Sequence, residues 1–221
     1  MGRERWLIVA AHADDESKSA SLIFTERKPD DVLIILVMRL VGEGRPYDRE
    51  SWTPEEGINI RSTEMKRSSE FLKANELRWW LPPHPNNGNI VKTPETVKKM
   101  VQILDEIKPT RIITHWGLGD SHPDHAGTAE VVKEAVRQIN VPNEHTNLYF
   151  FGEPVKVLSN FIPNHFVDIS KPSLLASVLW TRCVHRSQID FNTFYLYTSY
   201  FKKQGQKSGC DYGDAFVMDK I

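Results

Sequence analysis

Four residues that could do chemistry, His12, Asp14, Asp15 and Glu16, fall in the stretch "AHADDE", directly behind the apolar run "WLIVA" (Trp6–Ala10). A second cluster, His122, Asp124 and His125 in "SHPDHAG", follows another apolar run, "RIITHW" (Arg111–Trp116). Adjacent carboxylates repel, so folding alone gives little reason to set Asp14 beside Asp15 where a chain leaves a strand. A cation among these groups would explain them. Two imidazoles and a carboxylate with an open position are a familiar ligand set for a catalytic divalent metal, zinc in particular. Neutral imidazole and carboxylate suit zinc better than the all-oxygen shells of calcium or magnesium. One aspartate would then be a ligand, leaving its neighbour free to act as a base on metal-bound water. Each cluster also has a plainer explanation. An Asp-Asp-Glu at a helix start caps the first amides and complements the helix dipole, and His-x-x-His there is often only polar surface. Two such clusters at corresponding strand ends favour the metal.

Elements that alternate in type must hold these clusters. Strands are expected at Trp6–Ala10, Asp31–Met38, Leu77–Trp80, Arg111–Trp116 and Asn147–Phe151, with a further short one in "HFVDI" (165–169). Helices are expected over Asp15–Glu26, Asn59–Ala74, from the Thr93-Pro94-Glu95 cap to Ile107, and from the 117–123 loop to near Gln138. Two more should follow, one capped by Ser170 and one over Phe191–Lys203. The order predicts an α/β, single-domain Rossmann-like fold over residues 1–221, its mainly parallel sheet covered by helices on both faces. In such open sheets ligands bind outside the carboxyl ends of the strands. Both clusters fall there. The polar segment 39–57 is long for a connection without structure of its own and reads as the rim of the site, with Glu43, Arg45 and Trp52 as unassigned candidates.

Composition narrows the function classes. The chain has 221 residues, enough for one large domain with a sizeable core. Its 28 basic and 29 acidic residues leave a formal net charge of -1, which offers no electrostatic case for nucleic acid. Cys183 and Cys210 form no metal-type pair and no disulfide framework, which favours a reducing compartment. The apolar stretch near the start is too short for a signal-peptide core, and no run approaches the ~20 apolar residues of a membrane span. A soluble, cytoplasmic protein with no membrane insertion is expected. "GLGDSH" begins like a dinucleotide-binding Gly-x-Gly-x-x-Gly, but His122 stands in the third glycine's place, and no Walker lysine follows a Gly-rich loop.

"AHADDE" together with "HPDH" resembles the paired signature of the LmbE-like, or PIG-L-type, zinc-dependent de-N-acetylases. Arg61 and Glu64 resemble that family's Arg-x-x-Glu at a helix start, and "FVDIS", "HRSQ" (His185–Gln188) and "YGDAF" (Tyr212–Phe216) are similar to its late segments. The resemblance implies that His12, Asp15 and His125 bind Zn2+, or another divalent transition metal. It implies that Asp14 is the general base on the metal-bound water. His122 would be a protonated partner that steadies the oxyanion or delivers a proton to the amine, and Asp124 would hold that histidine charged. His12 and Asp15, at i and i+3 across a strand–helix turn, can face one ion while Asp14 points elsewhere. Arg61 and Glu64 would bind substrate, either sugar hydroxyls or an anionic group, or else form a buried ion pair.

Three departures stand out. Ala13 replaces a common proline, Gly213 and Asp214 replace the usual Ala and Glu, and Asp120 stands where some members carry an oxyanion-assisting tyrosine. The implied activity is removal of N-acetyl from an amino sugar or glycoconjugate, a small-molecule substrate, by a homo-oligomer. The alternative is a metal-dependent hydratase acting on a small carboxylic acid on the same scaffold. His84, His115, His145, His165 and His185 read as structural, although His185 beside "RSQ" could approach the site. Of Trp79 and Trp80, one should pack in the core and the other could stack on a sugar.

Overall fold

A computed structural model describes residues 2–40, 52–80, 89–139, 146–152, 158–187 and 191–220. Glu43, Arg45, His84, His145 and Gln188 lie outside them. Seven strands form one sheet: β1 (Arg5–Ala10), β2 (Val32–Val37), β3 (Glu76–Trp79), β4 (Arg111–His115), β5 (Asn147–Phe151), β6 (His165–Asp168) and β7 (Gly213–Lys220). Their order is β3-β2-β1-β4-β5-β7-β6. The pairs from β3 to β5 are parallel, and β7 runs antiparallel between β5 and β6. The α/β expectation holds.

Helices α1 (Ala20–Glu26), α2 (Pro54–Phe71), α3 (Pro94–Ile107), α4 (Pro123–Gln138), α5 (Pro172–Cys183) and α6 (Phe191–Ser208) cover both faces. β1 shows why its sequence is a solid apolar run rather than an alternating one. Trp6 and Ile8 enter a core shared with α1, α2, α5 and α6, while Leu7 and Val9 enter a second core with α3 and α4. A strand buried on both faces has no polar side to show. Among the described residues no helix is long and apolar enough to cross a membrane.

The chain leaves β1 toward β2 and β3, then returns to place β4 on the other flank of β1. The carboxyl ends of β1 and β4 therefore border a topological switch point, where an open parallel sheet leaves a crevice.

Local differences from the expected elements have identifiable causes. The segment after β1 opens as a 3-10 turn, Asp15–Ser19, before α1 begins. Asp14 stands at its N-cap position yet makes no side-chain cap hydrogen bond, so helix capping does not explain the paired aspartates. α2 starts earlier than Asn59, at a capping box between Thr53 and Glu56 followed by Pro54. α3 begins as expected at Thr93 and Pro94. Ser170 does not cap α5, because Lys171 holds that place. The Ser170 hydroxyl instead donates to Tyr212 O (3.2 Å) and accepts from Tyr212 N–H (3.0 Å), tying the start of α5 to β7. β7 itself was not among the expected strands, since its pairing with β5 and β6 is set by distant segments rather than by local pattern.

One close approach ties the fold to the site. A Cβ on Gly127, in α4, would lie 1.9 Å from the carbonyl oxygen of Ile90. That approach also brings the Ile90 N–H to Asp124 Oδ1 at 2.7 Å. Gly→Ala inside a helix normally stabilises by about 1 kcal/mol. Here the sign should reverse, because backbone must move. Gly127→Ala is expected to cost ~1–3 kcal/mol, which a thermal melt would read as a fall of roughly 2–4 °C per kcal/mol for a chain of this size. An unchanged or raised Tm would show that the approach is not tight.

Candidate active site

Pairing of β1 with β2 continues past the strand ends, with Met38 N–H donating to Ala10 O and Arg39 N–H to Ala11 O, both at 2.9 Å. That extension sets Arg39 beside the turn at His12. The turn closes when the amides of Asp14 and Asp15 donate to His12 O, at 3.0 and 3.3 Å. The Asp15 carboxylate folds back into it. Its Oδ2 accepts the His12 N–H at 2.8 Å, and its Oδ1 holds Lys18 Nζ at 2.8 Å. From the β4 side, Gly119 adopts φ +76°, a left-handed conformation open to glycine, and turns the chain into Asp120. Asp120 Oδ1 accepts the His122 N–H at 2.9 Å, and Oδ2 meets His125 Nδ1 at 2.8 Å. Pro123 then opens α4, with His122 as its N-cap.

These two turns bring six of the expected site residues into one crevice. His12 Nδ1 lies 3.5 Å and His125 Nε2 3.6 Å from Asp15 Oδ2. The rings of His122 and His125 stack at 4.6 Å, and His12 stands 4.6 Å from His122. Two overlapping triads, His12/His122/His125 and Asp15/His115/His125, each present one ligand atom per residue within 4.8 Å of the others. Asp15, Asp124 and the imidazoles of His12 and His125 are buried, His122 partly so. Facing imidazole nitrogens beside a buried carboxylate suit a transition-metal ion. The donor set fits one.

Charge is tuned by burial and by partners in opposite senses. Burial alone would raise the Asp15 pKa, but Lys18, His125 and His115 outweigh it and hold the carboxyl well below the usual range. Burial would lower the His12 pKa, yet hydrogen bonds to Asp124 and Asp15 leave it raised. Burial pushes His115 down to about 4. It does the same to His122, with His12 and His125 adding to the effect.

The structure revises several expected roles. Asp124 does not hold His122 in a charged form. Its Oδ2 contacts His12 Nε2 at 2.9 Å and Arg39 Nη1 at 3.0 Å, and its Oδ1 takes the Ile90 amide. The only Asp124 group hydrogen-bonded to the His122 ring is its backbone N–H, which donates to Nδ1 at 3.3 Å. A ring whose Nδ1 accepts a hydrogen bond is neutral and carries its proton on Nε2. The reason is positional. As the second residue of α4, Asp124 turns beneath the helix start toward β1, while the His122 ring caps the same helix from outside.

His115, read as structural, enters the site at the end of β4. Its Nε2 lies 3.1 Å from the Ala11 N–H and 3.3 Å from Asp15 Oδ2, and its ring stacks 4.3 Å from that of His125. In either tautomer that nitrogen is engaged by protein. His185 is buried against Glu16, with Nε2 at 2.6 Å from Oε1. Arg61 reaches the first turn, donating to Ala13 O at 3.1 Å and to Asp14 Oδ1 at 3.2 Å. Glu64 lies against Ser187, accepting from its N–H at 3.0 Å and from its hydroxyl. Lys18 and Arg39 were not expected at the site, and Asp120 was noted only as standing in place of a tyrosine, though all three are charged groups in the segments that follow the carboxyl ends of β1, β2 and β4. Trp79 and Trp80 pack on opposite cores, Trp80 beneath Lys99 Nζ at 4.3 Å. His165 pairs with Glu26.

A doubly covered α/β sheet with a His/Asp crevice at its switch point defines a class, and the family comparison agrees. The chain belongs to the PIG-L (GlcNAc-PI de-N-acetylase) family, whose model matches residues 7–136. Over 172 residues it is 28% identical to a probable N-acetyl-alpha-D-glucosaminyl L-malate deacetylase 2 of Bacillus anthracis, covering 75% of this chain and 70% of that one. Its fold matches the N,N'-diacetylchitobiose deacetylase of Pyrococcus horikoshii with a TM-score of 0.79 at 21% identity, over 98% of this chain and 84% of that one. The 4-carboxy-2-hydroxymuconate hydratase of Pseudomonas putida KT2440 has the same fold, with a TM-score of 0.80 at 14% identity, over 97% and 95% of the two chains.

The buried Glu16–His185 pair gives a pH-dependent test. Burial would lower the His185 pKa, but the charge and hydrogen bond of Glu16, with Asp14 and Glu64, leave it raised. A raised histidine pKa stabilises the fold below the unfolded value of about 6.5, and that stability is lost as pH rises through the folded value. Glu16→Gln should therefore destabilise most below pH ~6.5, by up to ~3–5 kcal/mol, with the gap to wild type narrowing at higher pH. Urea unfolding across that range measures it, and a pH-independent gap would contradict the pairing.

Proposed function

We propose that this protein is a metal-dependent amide hydrolase that removes the acetyl group from an N-acetylated amino sugar or glycoconjugate. The observation that carries this is the convergence of His12, Asp15, His122 and His125 at the switch point, with Asp14 beside them and not used as a helix cap. His12, Asp15 and His125 would hold zinc or another divalent transition metal. Such an ion, when bound, lowers the pKa of water and polarises a carbonyl oxygen.

The chain's own groups supply the rest. The Asp14 side chain keeps 28% exposure while its neighbours are buried, and Arg61 orients it from one side. It can take a proton from the attacking water and pass it to the departing amine. His122, neutral with its proton on Nε2, can donate to the oxyanion that forms on the amide oxygen. This replaces the imidazolium expected from the resemblance. Asp124, itself paired with Arg39, holds His12. Asp120 fixes the His125 tautomer, placing hydrogen on Nδ1 and leaving the Nε2 lone pair for a ligand bond.

Deacetylation assayed across N-acetylated sugars and conjugates, with bound metal measured in the same sample, tests the reading. Unsaturated carboxylic acids belong in the panel, because hydration of one without any deacetylation would establish the hydratase alternative. Asp14→Asn is expected to keep its metal and its fold while losing ~10²–10⁴-fold in kcat. Asp15→Ala should lose the metal first and activity as a consequence. The reverse pattern of metal contents would exchange their roles. Asp120→Ala should weaken metal affinity by ~10–100-fold in a chelator competition, with Asp120→Asn recovering part of it through the remaining acceptor oxygen. Equal affinity in all three proteins would remove Asp120 from the site.

A further inference from the structure

Three residues after Asp15 lies a buried cation, Lys18, only 7% exposed. Its place follows from the turn that carries it. Asp15–Ser19 winds as a 3-10 helix, in which residues three apart eclipse one another, so the lysine stem is set over Asp15. The ammonium reaches Asp15 Oδ1 at 2.8 Å and lies over the ring of Phe151, 5.7 Å from its centroid, at the end of β5. Phe151 in turn packs edge-on against His115, with centroids 4.6 Å apart.

The two oxygens of Asp15 thereby face different groups. Oδ2 takes the His12 N–H at 2.8 Å and lies 3.5 Å from His12 Nδ1, 3.3 Å from His115 Nε2 and 3.6 Å from His125 Nε2. Oδ1 is turned to the ammonium. A divalent ion among the imidazoles would therefore meet one carboxylate oxygen, while the other is bound to a unit positive charge. That charge acts on the ion in two ways. It draws electron density from the ligand carboxylate, the reverse of what a carboxylate does behind a ligand histidine. It also repels the ion across the width of one carboxyl group, in buried surroundings that screen poorly. Without an ion the same contact is favourable, because it keeps a buried carboxylate paired.

We infer that Lys18 is a positioning residue for the metal: it restricts Asp15 to a single coordinating oxygen and holds the affinity of the site below what its His/Asp ligands alone would give, while keeping the site formed before an ion arrives. The inference rests on the metal-holding part of the deacetylase reading and is independent of which substrate is turned over. The consequence is an ion left more electron-poor, which suits a site that must polarise an amide carbonyl.

Zinc titration of the metal-free protein, in competition with a chromophoric chelator, tests it on wild type, Lys18→Met and Lys18→Arg. Lys18→Met keeps an unbranched stem and removes the charge. It should bind zinc at least ~tenfold more tightly, the worth of one charge-assisted hydrogen bond, while its metal-free form melts below wild type. Lys18→Arg keeps the charge and should bind as wild type does. Thermal melts with and without zinc give an independent reading, since the rise in Tm on adding zinc should be larger in Lys18→Met. A purely structural lysine predicts a lower metal-free Tm with zinc binding unchanged or weaker, and that result would overturn the proposal. So would binding that tightens equally in Lys18→Arg, because charge would then not be the cause. Should Lys18→Met not fold, Lys18→Gln, which keeps a polar end without the charge, decides by the same criterion. If wild type takes up neither zinc nor cobalt, the metal reading itself fails and the proposal with it, whereas equal affinity in wild type and Lys18→Met sinks the proposal alone.

Discussion

Among the described residues the three least exposed carboxylates border this crevice: Asp15 at 2% exposure, and Glu16 and Asp124 at 0%. An ion moved into such surroundings costs several kcal/mol, about the scale of a domain's whole stability, unless partners and hydrogen bonds surround it. Each acid has its own set. Lys18 and the His12 amide hold Asp15, Ser68 and His185 hold Glu16, and Arg39, His12 and the Ile90 amide hold Asp124. The partners come from the turn after β1, the ends of β2 and α5, α2 and the strip before α3. The architecture around the crevice can be understood as what is needed to bring those cations and donors to three buried acids.

That constraint also separates the roles of neighbouring residues. Asp14 differs from Asp15 by one position, yet it keeps its access to solvent and meets Arg61, whereas Asp15 is enclosed among imidazoles and Lys18. A group that must exchange protons with a reactant needs access. A group that must keep one charge and one position benefits from enclosure. The same division holds across α4, where His122 faces the crevice and Asp124 lies beneath it.

The solved neighbours that share this fold include a deacetylase and a hydratase. One scaffold accommodates both because the sheet fixes only the crevice and the residues at its strand ends.

By itself the sequence determined the layered α/β fold, the strands from β1 to β6, the capped start of α3 and the two His/Asp clusters at strand ends. These are legible because they depend on local pattern: apolar runs, a Thr-Pro-Glu start, ligand-type residues a few positions apart. Tertiary structure alone decided which partner each charged group meets. The carboxylate of Asp124 turned to His12 rather than to His122, because helix geometry aims the second residue of α4 toward β1. His115 joined the site because strand pairing sets the end of β4 beside the end of β1, and His185 met Glu16 because the turn after α5 returns to the segment behind β1. β7 became a strand through pairing with β5 and β6, from which the sequence separates it widely. Such choices are made by segments far apart in the chain meeting in space, where the need to satisfy a buried charge selects the neighbour, and no local spacing encodes that meeting.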